Sequence, residues 1–140
     1  MHTFCDASSS SYACVVYLRT EGKEGMSIQL LQAQSRVALL RKTTVPRLEL
    51  FACCIGACLA YSMKKAVSLE DVSSFFWTDS TTVLYWIKNK ENWRTFVNNR
   101  VNQLSTAEIG TNLYGTFPLI FLSIFLGNIN SRLFQSTPKR

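Results

Sequence analysis

The strongest constraint on the fold is a change of period at Pro46. Before it, apolar residues alternate or run in short β-rich stretches. After it, Leu48, Phe51, Ala52, Ile55, Leu59 and Ser62 recur at three- and four-residue steps. Alternation sends successive side chains to opposite faces of a strand, whereas the longer step gathers them on one side of a helix. Proline suits the first turn of a helix, where no N–H is needed. The pair Lys64–Lys65 suits the other end, where backbone carbonyls concentrate negative charge. A helix from Pro46 to about Lys65 is expected.

Three strands are expected ahead of that helix. Thr3 to Asp6 is short and stops at the serines Ser8 to Ser11; Tyr12 to Arg19 is β-rich; Ile28 to Val37 alternates in part. The turn signal Glu21-Gly22-Lys23-Glu24-Gly25 separates the second from the third, which makes an antiparallel meander. Beyond the helix, Val72 to Thr78 reads as a buried strand ending at Asp79. Ser80 can cap a helix running through Val83, Leu84 and Ile87, and Thr95 can cap another carrying Phe96, Val97, Arg100, Val101 and Leu104. The order β-β-β-α-β-α-α belongs to an α/β domain with a mixed sheet. After Leu104 the pattern changes: residues 105–140 hold one acid, Glu108, and the bases Arg132, Lys139 and Arg140, with no clear periodicity. The chain therefore divides into an α/β unit at 1–104 and a divergent tail at 105–140.

Composition narrows the partners. A length of 140 residues suits one domain, and a net charge of +6 fits a polyanion. The five cysteines are odd in number, and Cys53, Cys54 and Cys58 share one apolar helical run, so they read as small core residues in a reducing compartment. No secretory signal opens the chain. The apolar stretch Phe117 to Leu126 contains Pro118 and is about half the ~20 residues a spanning helix needs. An intracellular location, cytoplasmic or nuclear, without a membrane partner is expected.

Carboxylates are scarce, which gives their positions weight. Asp6 ends the first strand, Asp79 ends the fourth, and Glu49 lies near the start of the long helix. Aspartates at the ends of adjacent strands converge, and a helix crossing the sheet can add a third carboxylate from the side. Such a group repels itself unless a cation neutralises it. Oxygen-only ligation suits magnesium or manganese. Each residue also has a plainer role: Asp6 can start the serine turn, Asp79-Ser80 can be a helix cap, and Glu49 can favour the positive end of its helix. Glu49 shares a stripe with Cys53, Gly56 and Ala60, small residues that would let the helix approach the sheet and turn the carboxylate inward.

The segments His2-Thr3-Phe4-Cys5-Asp6-Ala7-Ser8, Lys42-Thr43-Thr44-Val45-Pro46-Arg47-Leu48-Glu49-Leu50 and Phe76-Trp77-Thr78-Asp79-Ser80 resemble the ribonuclease H-like domain of Bel/Pao-type LTR retrotransposon polyproteins. Val83-Leu84-Tyr85-Trp86-Ile87 and Phe96-Val97-Asn98-Asn99-Arg100-Val101 continue the likeness, to roughly residue 104. The resemblance implies a ribonuclease H fold with a five-stranded mixed sheet. It implies two-metal cleavage, with Mg2+ or Mn2+, of the RNA strand in RNA/DNA hybrids. It also implies reverse transcriptase and integrase parts in the same polyprotein. By that match Asp6, Glu49 and Asp79 are the catalytic, metal-binding carboxylates.

The departures are as specific. The family continues past this helix into a final strand with a Val-Pro-Gly element and an Asn-Pro-Ala-Asp segment carrying a fourth carboxylate. No aspartate follows Asp79 here. The expectation is a domain without its fifth strand and with impaired activity. The alternative is a catalytically inactive nucleic-acid-binding remnant, or a retroelement fragment without function.

Two basic groups are candidates for the nucleic-acid backbone: Arg36, Arg41, Lys42 and Arg47 around the loop into the long helix, and Lys88, Lys90, Arg94 and Arg100 around Trp93. Aspartic peptidase chemistry needs Asp-Thr/Ser-Gly, and neither Asp79-Ser80-Thr81 nor Asp6-Ala7-Ser8 supplies the glycine. Zinc is disfavoured, because the sole histidine is His2 and the cysteines lie on an apolar stripe.

Overall fold

A computed structural model describes residues 1–38, 43–89, 91–106 and 113–115. Five strands and three helices follow in the order β1 (His2–Ala7), β2 (Ser11–Gly22), β3 (Gly25–Val37), α1 (Val45–Ala66), β4 (Phe75–Thr78), α2 (Thr81–Lys88), α3 (Thr95–Thr106) and β5 (Leu113–Gly115). They form one mixed sheet in the order β3-β2-β1-β4-β5. β1, β2 and β3 pair antiparallel; β4 joins β1 in parallel, and β5 joins β4 in parallel.

The expected absence of a fifth strand is corrected by β5. Three residues suffice, because β4 itself is only four residues long and has one edge left to pair once β1 has taken the other. The Tyr114 ring stacks on Trp77 with centroids 5.0 Å apart, which adds an aromatic contact across the pairing. A run this short carries no readable alternation, so local sequence could not reveal it.

Boundaries moved elsewhere for local reasons. β3 starts at Gly25 rather than Ile28, because a two-residue turn joins Gly22 to Gly25 and the ladder runs up to it. Gly25 sits at φ +117°, a conformation that strains any residue with a Cβ. β4 starts at Phe75 rather than Val72, whose N–H instead donates to Leu69 O in a turn. Thr95 is the first residue of α3 rather than its cap.

All three helices pack on one face of the sheet. There Met1 and, from the strands, Cys5, Cys14, Val16 and Phe76 meet Leu50, Cys53, Cys54 and Ala57 from α1, Val83 and Ile87 from α2, and Val97, Val101 and Leu104 from α3. Pro46 lies in the first turn of α1, and Lys64 and Lys65 lie in its last turn, as the sequence requires. Among the described residues α1 is also the one helix long and apolar enough to cross a membrane. Here its apolar side chains are spent on the sheet.

Cysteines lie at the centre of that contact. Cys5, Cys14, Cys53 and Cys54 are buried free thiols, and Cys58 is exposed. Burial pushes Cys14 up to about 11 and Cys54 up to about 12, so both stay protonated and pack as apolar groups. A Cβ added to Gly56 would stand 2.6 Å from Cys5 Sγ, 3.2 Å from Thr3 Cγ2 and 3.3 Å from Cys14 Cβ. The helix backbone thus lies directly on β1 and β2. The small-residue stripe does what its spacing suggested.

The other face carries Phe4, Val15 and Tyr17 with Ile28, Leu30 and Trp77, a cluster drawn from strands alone.

Candidate functional site

β1 and β4 run side by side in the same direction, with Cys5 opposite Thr78 as the last pair. Asp6 is the next residue of β1 and Asp79 the first residue after β4. They therefore stand at the C-terminal end of two parallel strands, where ligands of open α/β sheets commonly bind. Alternation puts Asp6 on the Phe4 side of β1 and Asp79 on the Trp77 side of β4. Both are exposed.

The Asp6 carboxyl is nevertheless held above the usual aspartate range. Partial enclosure by neighbouring atoms is the main cause, and the negative charge of Asp79 adds to it. The Ala7 N–H, donating to Asp6 Oδ1 at 2.7 Å, works in the opposite direction. Two carboxylates that feel each other make ionising both less favourable.

Glu49 reaches the same end of the sheet from the helix side. It stands beyond the first turn of α1, which contains no acid, so attraction to the helix end does not account for its place. Its Oε2 accepts a hydrogen bond from Ser80 Oγ at 2.5 Å. Ser80 follows Asp79 directly, is buried, and caps α2 by accepting the Val83 N–H at 3.3 Å. The sequence reading recognised Ser80 only as a cap. Its contact with Glu49 joins residues thirty-one positions apart, and no local pattern announces it.

The loop beside Asp6 is built by serine rather than by the aspartate. Ser8 Oγ accepts the N–H groups of Ser10 and Ser11 at 3.3 and 3.2 Å, which closes the turn between β1 and β2. Asp6 is thereby left out of the turn's hydrogen bonding, apart from its bond to Ala7. Asp6, Ala7, Ser8, Ser11, Tyr12 and Ala13 line a shallow open depression beside the carboxylate.

The donor set fits a hard divalent cation in chemistry: three carboxylates from β1, α1 and β4, with no nitrogen or sulfur ligand among them. Asp6 and Asp79 form the interacting pair, and Glu49 is drawn to Ser80. Among the described residues no three His, Cys, Asp or Glu side chains form a ligand cluster. The arrangement is a pair of carboxylates with a third held beside it.

The basic candidates divide. Arg41, Lys42 and Lys90 lie outside the described residues. Arg47 places its guanidinium 5.0 Å from the Phe96 ring centroid, and Arg100 stands 5.2 Å from that of Phe51. Phe51 stacks on Tyr12 at 5.6 Å and meets Phe96 edge-on at 5.3 Å. Two cations thus flank an aromatic group that ties β2, α1 and α3 together. The sequence groups Arg100 with the bases around Trp93; its place over Phe51 depends on tertiary packing. Lys88 and Arg94 are exposed. Trp93 is partly buried against the core, and its indole N–H donates to Asn89 O at 3.2 Å.

The family model described as Pao retrotransposon-like RNaseH-like domain matches residues 1–80, the stretch that holds all three carboxylates. No curated protein matches the chain.

Proposed function

This chain belongs to the Pao retrotransposon-like RNaseH-like domain family, and on that premise we propose that it acts on the RNA strand of RNA/DNA hybrids through Asp6, Glu49 and Asp79. The observation that supports this most is the arrival of three carboxylates at one end of the sheet. Asp6 and Asp79 come from neighbouring parallel strands, and Glu49 is hydrogen-bonded to the residue after Asp79.

Asp6 and Asp79 supply hard oxygen donors on a rigid sheet, and Glu49 brings a third from α1. The group they would hold is Mg2+ or Mn2+, two ions in the intact family site, and when bound it activates water and stabilises the leaving oxygen in phosphodiester hydrolysis. Arg41, Lys42 and Arg47, with Lys88, Lys90, Arg94 and Trp93, would engage the hybrid's backbone through charge and stacking. Residues 1–104 form the catalytic unit, and β5 from the segment 105–140 completes its sheet. In the parent polyprotein the unit works beside reverse transcriptase and integrase parts, inside the cell.

Cleavage by these 140 residues is expected to be weak, because residues 105–140 place no aspartate where the family carries its fourth carboxylate. A second reading, an inactive module that still binds nucleic acid, draws on the lack of a three-residue ligand cluster among the described residues. One experiment separates the two. A labelled RNA/DNA hybrid is incubated with the protein in Mg2+ and then Mn2+, beside an Asp6→Asn control. Metal-dependent cutting that the control lacks supports the nuclease. Hybrid binding without cutting, in protein shown by circular dichroism to be folded, leaves the binding module.

A further inference from the structure

We propose that Ser80 is a positioning residue that holds Glu49 in place for a divalent cation, a role that rests on the carboxylate reading above. The hydroxyl works in two directions. It donates to Glu49 Oε2 at 2.5 Å and accepts the Val83 N–H at 3.3 Å. The backbone N–H of Ser80 donates to Thr78 Oγ1 at 3.2 Å, which ties the same residue back to the end of β4. Ser80 is only 6% exposed, so water competes poorly for the bond to the carboxylate.

The consequence concerns freedom of the Glu49 side chain. A glutamate has several rotatable bonds, and ordering it at the moment of ligation is unfavourable. A bond from a buried hydroxyl to a charged oxygen orders it beforehand, and leaves Oε1 for a cation. Because Ser80 also starts α2 directly after Asp79, the second aspartate and Glu49 are located by one residue. Alternation places Asp6 and Asp79 on the strand side of the sheet's end, whereas Glu49 arrives from the helix side. Ser80 joins the two sides.

Few residue types can do both tasks. Aspartate caps a helix but has no proton to give and would repel Glu49. Glycine caps nearly as well as serine but offers no donor. Threonine keeps the hydroxyl. These differences separate capping from positioning.

The full chain is prepared as wild type, Ser80→Gly and Ser80→Thr, with folding checked by circular dichroism. Two readouts are taken. The first, without metal, is the side-chain carboxyl carbon resonance of Glu49; the second is Mn2+ and Mg2+ affinity by titration calorimetry. The Glu49 resonance should shift and broaden in Ser80→Gly and stay near its wild-type position in Ser80→Thr. The dissociation constant for Mn2+ should rise about tenfold in Ser80→Gly, the size typical of losing a partner that orients a ligand. It should change little in Ser80→Thr.

An unmoved Glu49 resonance in Ser80→Gly, or Mn2+ affinity equal to wild type in Ser80→Gly, overturns the proposal. If wild-type protein binds neither ion, the cation reading of the site fails, and Ser80's role toward a cation fails with it. The metal-free resonance still reports whether Ser80 holds Glu49, so the two failures are told apart.

Discussion

The two faces of the sheet are packed on different principles. Beneath the helices, the contact between α1 and the strands is made of small groups: Cys5, Cys14, Cys53, Gly56, Ala57 and Ala60. On the opposite face the strands carry large rings: Phe4 meets Tyr17 edge-on at 6.2 Å and stacks on Trp77 at 6.1 Å. One face is built for close approach and the other for area. The difference matters to the candidate site because its carboxylates come from both sides. Small residues let α1 lie close enough for Glu49 to reach Ser80, while the strand side carries Asp6 and Asp79 at the ends of rows of aromatic residues.

The sharpest way to break this contrast is to add volume where the helix touches the sheet. Gly56→Val would drive new carbon atoms into Cys5, Thr3 and Cys14, whose atoms already lie 2.6–3.3 Å from an added Cβ. The expected loss of stability is about 3 kcal/mol, the upper part of the usual range for overpacking a core. Thermal or urea denaturation measures it. A loss below about 1 kcal/mol would mean that α1 can lift away cheaply, against the ordinary behaviour of a closely packed core.

The aromatic face makes a prediction of its own, through acid. His2 stacks on Phe75 at 5.1 Å, and its Nδ1 accepts the Trp77 indole N–H at 3.2 Å. Burial, with smaller contributions from the N-terminal ammonium and Arg19, lowers its pKa from 6.5 to about 4. Between those values the unfolded chain binds the proton and the folded chain does not. The stabilisation is therefore complete above pH 6.5 and is lost as pH falls toward 4. With His2 half-buried and partly screened by solvent, the loss should be roughly 1–2 kcal/mol. His2→Leu should flatten the pH dependence of stability over that window. An unchanged slope would show that the ring titrates freely and that the stack leaves it accessible to water.

The smallest effect joins the two carboxylates on the strand side. In metal-free protein, Asp79→Asn removes the charge that adds to the upward shift of Asp6, so the Asp6 pKa should fall. It should remain above the ordinary aspartate value, because partial burial is the larger cause. Carboxyl-carbon NMR titration reads this directly. No movement would mean that Asp6 and Asp79 do not sense each other, and would remove the repulsion that makes a cation favourable there.

Much of this architecture was legible in short-range pattern. The meander, the period change at Pro46 and the small stripe along α1 follow from where side chains must point in a strand or a helix. Positions of Asp6 and Asp79 at strand ends were equally readable, because each closes a β-rich run. Legibility failed where the deciding partner was distant. β5 is three residues long, and its pairing depends on the free edge of β4. Ser80 looks like any N-cap until α1 is laid across the sheet and brings Glu49 to its hydroxyl. The partial packing of Trp93 against the core and the bond from its N–H to Asn89 O likewise depend on how the chain folds back.

The sequence by itself determined the order and type of the main elements, the small-residue path along α1 and the places of Asp6, Glu49 and Asp79 along those elements. These depend on backbone geometry and on side-chain size, which are properties of the local chain. Tertiary structure alone decided that β4 has a partner on both edges, that Asp6 feels Asp79, and that Glu49 is held by Ser80. Each of those requires two segments far apart in sequence to meet, and the meeting is selected by the packing free energy of the whole domain rather than by either segment.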